Sequence, residues 1–286
     1  MIRIGQMQGR LSPPEGGRIQ FFPRLRWQDE FALAAEAGFD QIEWLYDEWG
    51  EQHNPLAGNE GTRTIGLLSK QSGVAVHSLC AHYFVEHPFV NSSGRDLQSL
   101  VDKLEWLVTR CAAAKIRRVI VPFLDQGSIR NEDHERCAMD VLNSVLPGAV
   151  AHSVELHLET DLAPIAYGRF LEKMTSPAIR ATYDTGNSTS FGFDVIDEIA
   201  AYGSRIGSVH IKDRLRRGGS VPLGEGEANL SFRLAALLAT GYRGDFVLEA
   251  ARGEAGGELA WARRNLDVVK QQFAKANCLA RGNYST

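Results

Sequence analysis

Cysteine is scarce in this chain. There are four residues, Cys80, Cys111, Cys137 and Cys278, and no pair stands at CxxC spacing. In a chain this long they need not form a disulfide framework, and the expectation is buried or idle thiols in a reducing compartment. The N-terminus lacks a basic segment followed by a long apolar one, so no signal peptide is expected. No run approaches about 18 apolar residues, so no membrane partner is expected. These absences together point to the cytoplasm. Excess positive charge is missing as well. The formal net charge is −4, which argues against nucleic acid as a partner, because such surfaces are basic. No GxxxxGK[ST] string occurs, so a standard phosphate loop is absent.

What is present is ordinary for a globular protein, with 44% hydrophobic and 23% charged residues over 286 positions. Short apolar runs alternate with helical patterns eight times. The runs are Ile2–Met7, Gln41–Leu45, Ala75–Leu79, Arg118–Phe123, Val154–Glu159, Arg180–Asp184, Gly207–Ile211 and Asp245–Glu249. Apolar residues at three-to-four spacing predict helices over Trp27–Ala37, Thr62–Gln71, Leu97–Ala114, Glu132–His152, Pro164–Met174, Val195–Tyr202, Ser231–Thr240 and Leu259–Phe273. Gly38, Gly73 and Gly241 follow three of these as stop signals, and Asn229 or Ser231 could cap the seventh. Strands alternating with helices pair in parallel through right-handed crossovers. Eight such units predict an α/β protein made of a single (β/α)₈ TIM barrel over 1–274, followed by a polar, loosely ordered tail over 275–286.

In such barrels the chemistry sits at the C-terminal ends of the strands. Four successive strands end in metal-ligand residue types, namely Glu159, Asp184, His210 and Glu249. Alternation turns Leu156 and Leu158 outward and Glu159 inward; on the eighth strand Phe246 and Leu248 face out while Val247 and Glu249 face in. Three convergent carboxylates repel one another and lose hydration unless a cation is shared. Oxygen donors with one imidazole suit a single divalent ion: Mn²⁺, Mg²⁺, Co²⁺ or Zn²⁺.

His210-Ile211-Lys212-Asp213, Pro222-Leu223-Gly224-Glu225-Gly226 and Gly241-Tyr242-Arg243-Gly244 before Glu249 resemble the HxKD, PxGEG and GYxG elements of the xylose isomerase-like TIM barrel superfamily. His77 to His82, followed by His87-Pro88-Phe89, and the Asp184-Thr185-Gly186-Asn187 segment are similar to its branch of L-xylulose-5-phosphate 3-epimerases and hexulose-6-phosphate isomerases. Asn187 stands where many free-ketose 3-epimerases carry His. The resemblance implies an isomerase or epimerase of a ketose or ketose phosphate, acting through an enediolate. In it Glu159 and Glu249 are both ligands and the acid–base pair, and Asp184 and His210 are ligands only. Arg216 resembles the family's substrate-side arginine and Glu43 its substrate-side glutamate. Asn187, Lys212, His77 and His82 complete the expected substrate contacts.

His157 is expected as a core histidine beneath Glu159. The first loop is long, and Arg10, Arg18 or Arg24 could reach a phosphate. A metal-dependent dehydratase of an inosose or dehydroshikimate-like ring, an apurinic-site endonuclease and a non-catalytic sugar-binding protein are the alternatives. Barrels of this kind are often homodimers or tetramers.

Overall fold

A computed structural model of the chain describes residues 2–282. The elements run β1 (Ile4–Met7), α1 (Asp29–Ala37), β2 (Gln41–Leu45), α2 (Asn59–Ser72), β3 (Ser78–Cys80), α3 (Tyr83–Glu86), α4 (Gly94–Ala113) and β4 (Arg118–Phe123). They continue with α5 (Glu132–Ala151), β5 (Glu155–Thr160), α6 (Pro164–Lys173), β6 (Ile179–Asp184), α7 (Thr185–Phe191), α8 (Val195–Tyr202) and β7 (Ile206–Ile211). A short antiparallel hairpin, β8 (Asp213–Arg214) with β9 (Ser220–Val221), precedes α9 (Leu230–Ala239), β10 (Phe246–Leu248) and α10 (Glu258–Gly282).

β1 to β7 and β10 close into a barrel of eight parallel strands, with β10 between β7 and β1. The strand-by-strand alternation explains the two apolar layers. Phe246 and Leu248 join the core shared with the helices, whereas Val247 packs inside the barrel with Met7, Leu45 and Cys80. Gly38 and Gly73 end α1 and α2 with φ of 93° and 74°, the left-handed conformation that the helix stops require. All four cysteines are free. Among the described residues no helix is long and apolar enough to cross a membrane.

Four local expectations are corrected. β3 is shorter and later than the apolar run suggests; Ala75 makes only an isolated bridge to Gln41. Asn229 sits before α9 with φ 45° and gives it no side-chain cap. The β8–β9 hairpin and the short α7 have no counterpart in the pattern of apolar runs. The last helix passes the boundary at 274 and runs to Gly282, with Ala276 fully buried, because an apolar stripe persists beneath its polar face. The end of the expected tail, 283–286, lies outside the described residues.

Candidate active site

The four strand-end residues converge. Each of Glu159, Asp184, His210 and Glu249 offers one donor atom, and these atoms lie within 4.8 Å of one another. Asp184 ends β6 and also caps α7, its Oδ1 accepting from the amides of Gly186 at 2.8 Å and Asn187 at 2.9 Å. That leaves Oδ2 buried and turned to the cluster, where the Lys212 ammonium is its neighbour. No side chain fits at Gly186: a Cβ there would stand 2.7 Å from Lys212 Cγ, and this close approach lets Lys212 lie over the cap.

His210 is fully buried. Its Nε2 lies 2.7 Å from Glu43 Oε1, while Glu43 Oε2 accepts from Ser78 Oγ at 2.6 Å. A carboxylate only accepts, so Nε2 carries a proton directed at Glu43, and Nδ1 is the nitrogen that faces the cluster. Nδ1 is buried without a hydrogen-bond partner, 3.3 Å from Glu249 Oε2 and 4.0 Å from Glu159 Oε2. Lys212 Nζ stands 3.1 Å from Asp184 Oδ2 and 2.9 Å from Glu249 Oε1. Burial alone would lower Lys212, but the carboxylates of Asp184, Glu249 and Glu159 outweigh it and keep the ammonium charged.

The two glutamates are driven apart. Burial, with Asp184 and Glu249 adding to it against His210, pushes Glu159 up to about 7. Glu249 is buried too, yet the Lys212 ammonium first, then His210 and Arg10, hold it well below the usual carboxylate range. The two carboxyl groups thus belong to one electrostatic network with Lys212, His210 and Asp184. The donor set fits one divalent cation. Its oxygens and single imidazole are of the right hardness, and His210 Nδ1 is a buried polar atom without a hydrogen bond that a cation would satisfy.

Beside the cluster opens a cavity of about 310 Å³, lined by Glu159, Glu249, Asn187, Lys212 and His82 among others. Asn187 Nδ2 donates to Glu159 Oε1 at 3.0 Å, so its side chain orients a carboxylate rather than a turn.

Three expected substrate contacts lie elsewhere. Glu43 does not line the cavity; it is fully buried behind His210 and fixes that ring. His77 precedes β3 and therefore sits at the opposite, N-terminal rim, 3.1 Å from Gln41 Oε1 and 3.4 Å from Asp245 Oδ2. Arg216 is exposed in the turn of the hairpin, where its backbone amide donates to Glu227. Arg214 takes its place at the cavity, donating from Nη1 to Asn187 Oδ1 at 2.9 Å. A signal for Arg214 exists in the sequence, because positions 210, 212 and 214 share one face of an extended segment. Of the first-loop arginines, Arg18 and Arg24 pair with Glu86 and Glu15 and lie over Trp49. Arg10 is turned to the carbonyl of Ile19. His157 is buried as expected, bonded to Ser208 at 2.6 Å and Glu155 at 2.9 Å.

Comparison with known proteins follows the same lines. The chain is 26% identical over 262 residues to the L-ribulose-5-phosphate 3-epimerase of Salmonella heidelberg, covering 87% of this chain and 91% of that protein. It is 25% identical over 275 residues to the enzyme of the same name from Shigella flexneri serotype 5b, with the same coverage of 87% and 91%. Among solved structures, an L-ribulose 3-epimerase superposes with a TM-score of 0.76 at 20% identity over 100% of this chain and 99% of that one. The IolI protein with a bound zinc atom reaches 0.73 at 15% identity, covering 100% of both chains. At those identities the two structures establish the fold alone. A family profile described as xylose isomerase-like TIM barrel matches residues 31–272, most of the chain, and the chain belongs to that family.

Proposed function

We propose that this chain is a divalent-metal-dependent epimerase or isomerase of a ketose or ketose phosphate, with Glu159 and Glu249 as the proton-transfer pair. The observation that carries the reading is the convergence of three carboxylates and one imidazole within 4.8 Å at the barrel mouth. Relatives named as L-ribulose-5-phosphate 3-epimerases support the carbohydrate epimerase class and a small sugar substrate.

Glu159, Asp184, His210 Nδ1 and Glu249 would hold the ion. When bound, a divalent cation supplies Lewis acidity that stabilises negative charge developing on a sugar carbonyl oxygen. The protein does the rest. Glu159 and Glu249 enter from β5 and from the end of β10, with β6 and β7 between them. One carboxylate removes the proton beside the carbonyl and the other delivers a proton to the opposite face, which inverts that carbon. Lys212, charged beside Glu249, donates to substrate oxygens as they gain charge. His82 and Asn187 line the cavity that receives the sugar. A donor set with one imidazole favours a single-ion site over the histidine-rich cluster of an endonuclease, and two facing carboxylates favour proton return over loss of water.

A panel of pentuloses and hexuloses, free and phosphorylated, followed by NMR in D₂O with added Mn²⁺, tests the reading. Deuterium should enter at one carbon beside the carbonyl as the inverted or isomerised sugar accumulates, and EDTA should stop both. Exchange that survives chelation, or no exchange with any ketose, sinks it. A second expectation concerns Glu43. Glu43→Ala leaves the His210 ring without its anchor, and affinity for Mn²⁺ should fall about 10–100-fold in a calorimetric titration. Unchanged affinity would mean that Glu43 does not orient the ligand.

A further inference from the structure

We propose that Arg214 and Asn187 form a relay that selects which oxygen of Glu159 faces the ligand set, so that Arg214 is a positioning residue; the inference rests on the metal-dependent reading above. Arg214 Nη1 donates to Asn187 Oδ1 at 2.9 Å, and Asn187 Nδ2 donates to Glu159 Oε1 at 3.0 Å. The order of the chain is forced by chemistry. A guanidinium only donates and a carboxylate only accepts, so the amide between them has a single orientation that satisfies both. With Oε1 engaged, Glu159 presents Oε2 towards His210 Nδ1, 4.0 Å away. An unanchored glutamate would spread over rotamers and offer either oxygen, and ordering it at the moment of binding costs conformational entropy.

The relay is held from both ends. The backbone amide of Asn187 donates to Asp184 Oδ1 at 2.9 Å, so one residue ties together the second oxygens of two proposed ligands. On the other side Arg214 Nε donates to Gly218 O at 3.1 Å in the turn of the β8–β9 hairpin. The Arg217 amide staples that turn to α7 by donating to Ser190 O at 2.9 Å. The guanidinium therefore commits its Nε to the turn and its Nη1 to Asn187. Each two-donor edge of the guanidinium, Nε with Nη2 and Nη1 with Nη2, thus has one donor engaged, whereas an arginine meant for bidentate recognition of a sugar or phosphate would keep an edge free. In this way the hairpin brings a cation to the back of a ligand.

The full-length protein decides the matter by Mn²⁺ titration of the wild type, Asn187→Ala, Arg214→Met, Arg214→Lys and the Asn187→Ala/Arg214→Met double variant. Asn187→Ala keeps the backbone cap on Asp184 and should weaken Mn²⁺ binding about 10–100-fold. Arg214→Met should weaken it in the same direction, and the double variant should bind no more weakly than Asn187→Ala, because both changes break one chain of contacts. Arg214→Lys should recover part of the loss, since an ammonium can still donate to Asn187. With an accepted ketose, kcat should fall while KM stays within about twofold. Losses that add in the double variant overturn the relay, as does an Arg214→Met protein with wild-type Mn²⁺ affinity and a raised KM. If Asn187→Ala does not fold, the two Arg214 variants carry the test alone. Wild-type protein that binds no Mn²⁺ sinks the metal reading itself, whereas normal binding without ketose turnover sinks only the sugar reading and leaves the relay to the titrations.

Discussion

Glu159→Gln and Glu249→Gln are each expected to lower ketose turnover about 10²–10⁴-fold, the range lost when a positioned acid or base is removed. Glutamine keeps the volume and one acceptor oxygen but cannot take a proton. Both side chains lie in the cluster whose donor atoms converge within 4.8 Å, so each substitution also removes one negative charge from the ligand set. The measurement must therefore be made at saturating Mn²⁺, with unfolding followed in parallel. Exchange of substrate hydrogen with D₂O separates the roles. The variant lacking the residue that abstracts the proton should show no exchange from that epimer. It should lose exchange from the opposite epimer less completely, because there the other glutamate acts first. Either variant exchanging deuterium at the wild-type rate removes that residue from the proton-transfer pair.

The second large effect is on stability and lies at the other end of the barrel. Asp245, just before β10, is buried and meets Arg3 and Arg118, each at 2.5 Å, with His77 3.4 Å away. Burial raises its pKa, but the His77 hydrogen bond and the charges of Arg118 and Arg3 outweigh that and hold it well below the usual carboxylate range. A carboxyl group depressed in the folded state contributes stability that is complete above its unfolded pKa of about 4. The contribution disappears as pH falls through the lower folded value. Asp245→Asn should cost about 1–3 kcal/mol, because a buried acceptor of charged hydrogen bonds is lost while Arg3, half exposed, and Arg118 are partly solvated. Tm at neutral pH should fall accordingly, by roughly 2 °C per kcal/mol. The deficit against the wild type should shrink below about pH 4, where the aspartate of the unfolded wild-type chain takes up a proton while the folded one stays ionised. A variant that melts with the wild type at pH 7 would show that Arg3, which is half exposed, and Arg118 are solvated well enough to do without Asp245.

The hairpin explains why Arg214 stands at the cavity where the family resemblance points to Arg216. Local sequence gives the direction of a side chain when the backbone is extended, and Arg214 shares the inward face of His210 and Lys212. The run of charge from Arg214 to Arg217 offers two candidates on that face, and only the turn over residues 215–219 removes Arg216 to the surface. His77 is misplaced by the sequence for a related reason. An apolar run marks a strand without fixing where its ladder begins, and that difference in register puts His77 at the other rim. Glu43 sits on an inward face, which suggests the cavity; its partner His210 is 167 positions away, and nothing local announces that pairing.

The alternation of short apolar runs with helical periods determined the barrel, since a pattern of period two followed by one near 3.6, repeated eight times, leaves little else to build. The same alternation placed Glu159, Asp184, His210 and Glu249 at inward strand ends. Tertiary structure alone decided which nitrogen of His210 faces the cluster, which oxygen of Glu159 is tethered and which arginine reaches Asn187. Those depend on register and on depth within the closed sheet, which are set by contacts between segments far apart in the chain and not by any local period.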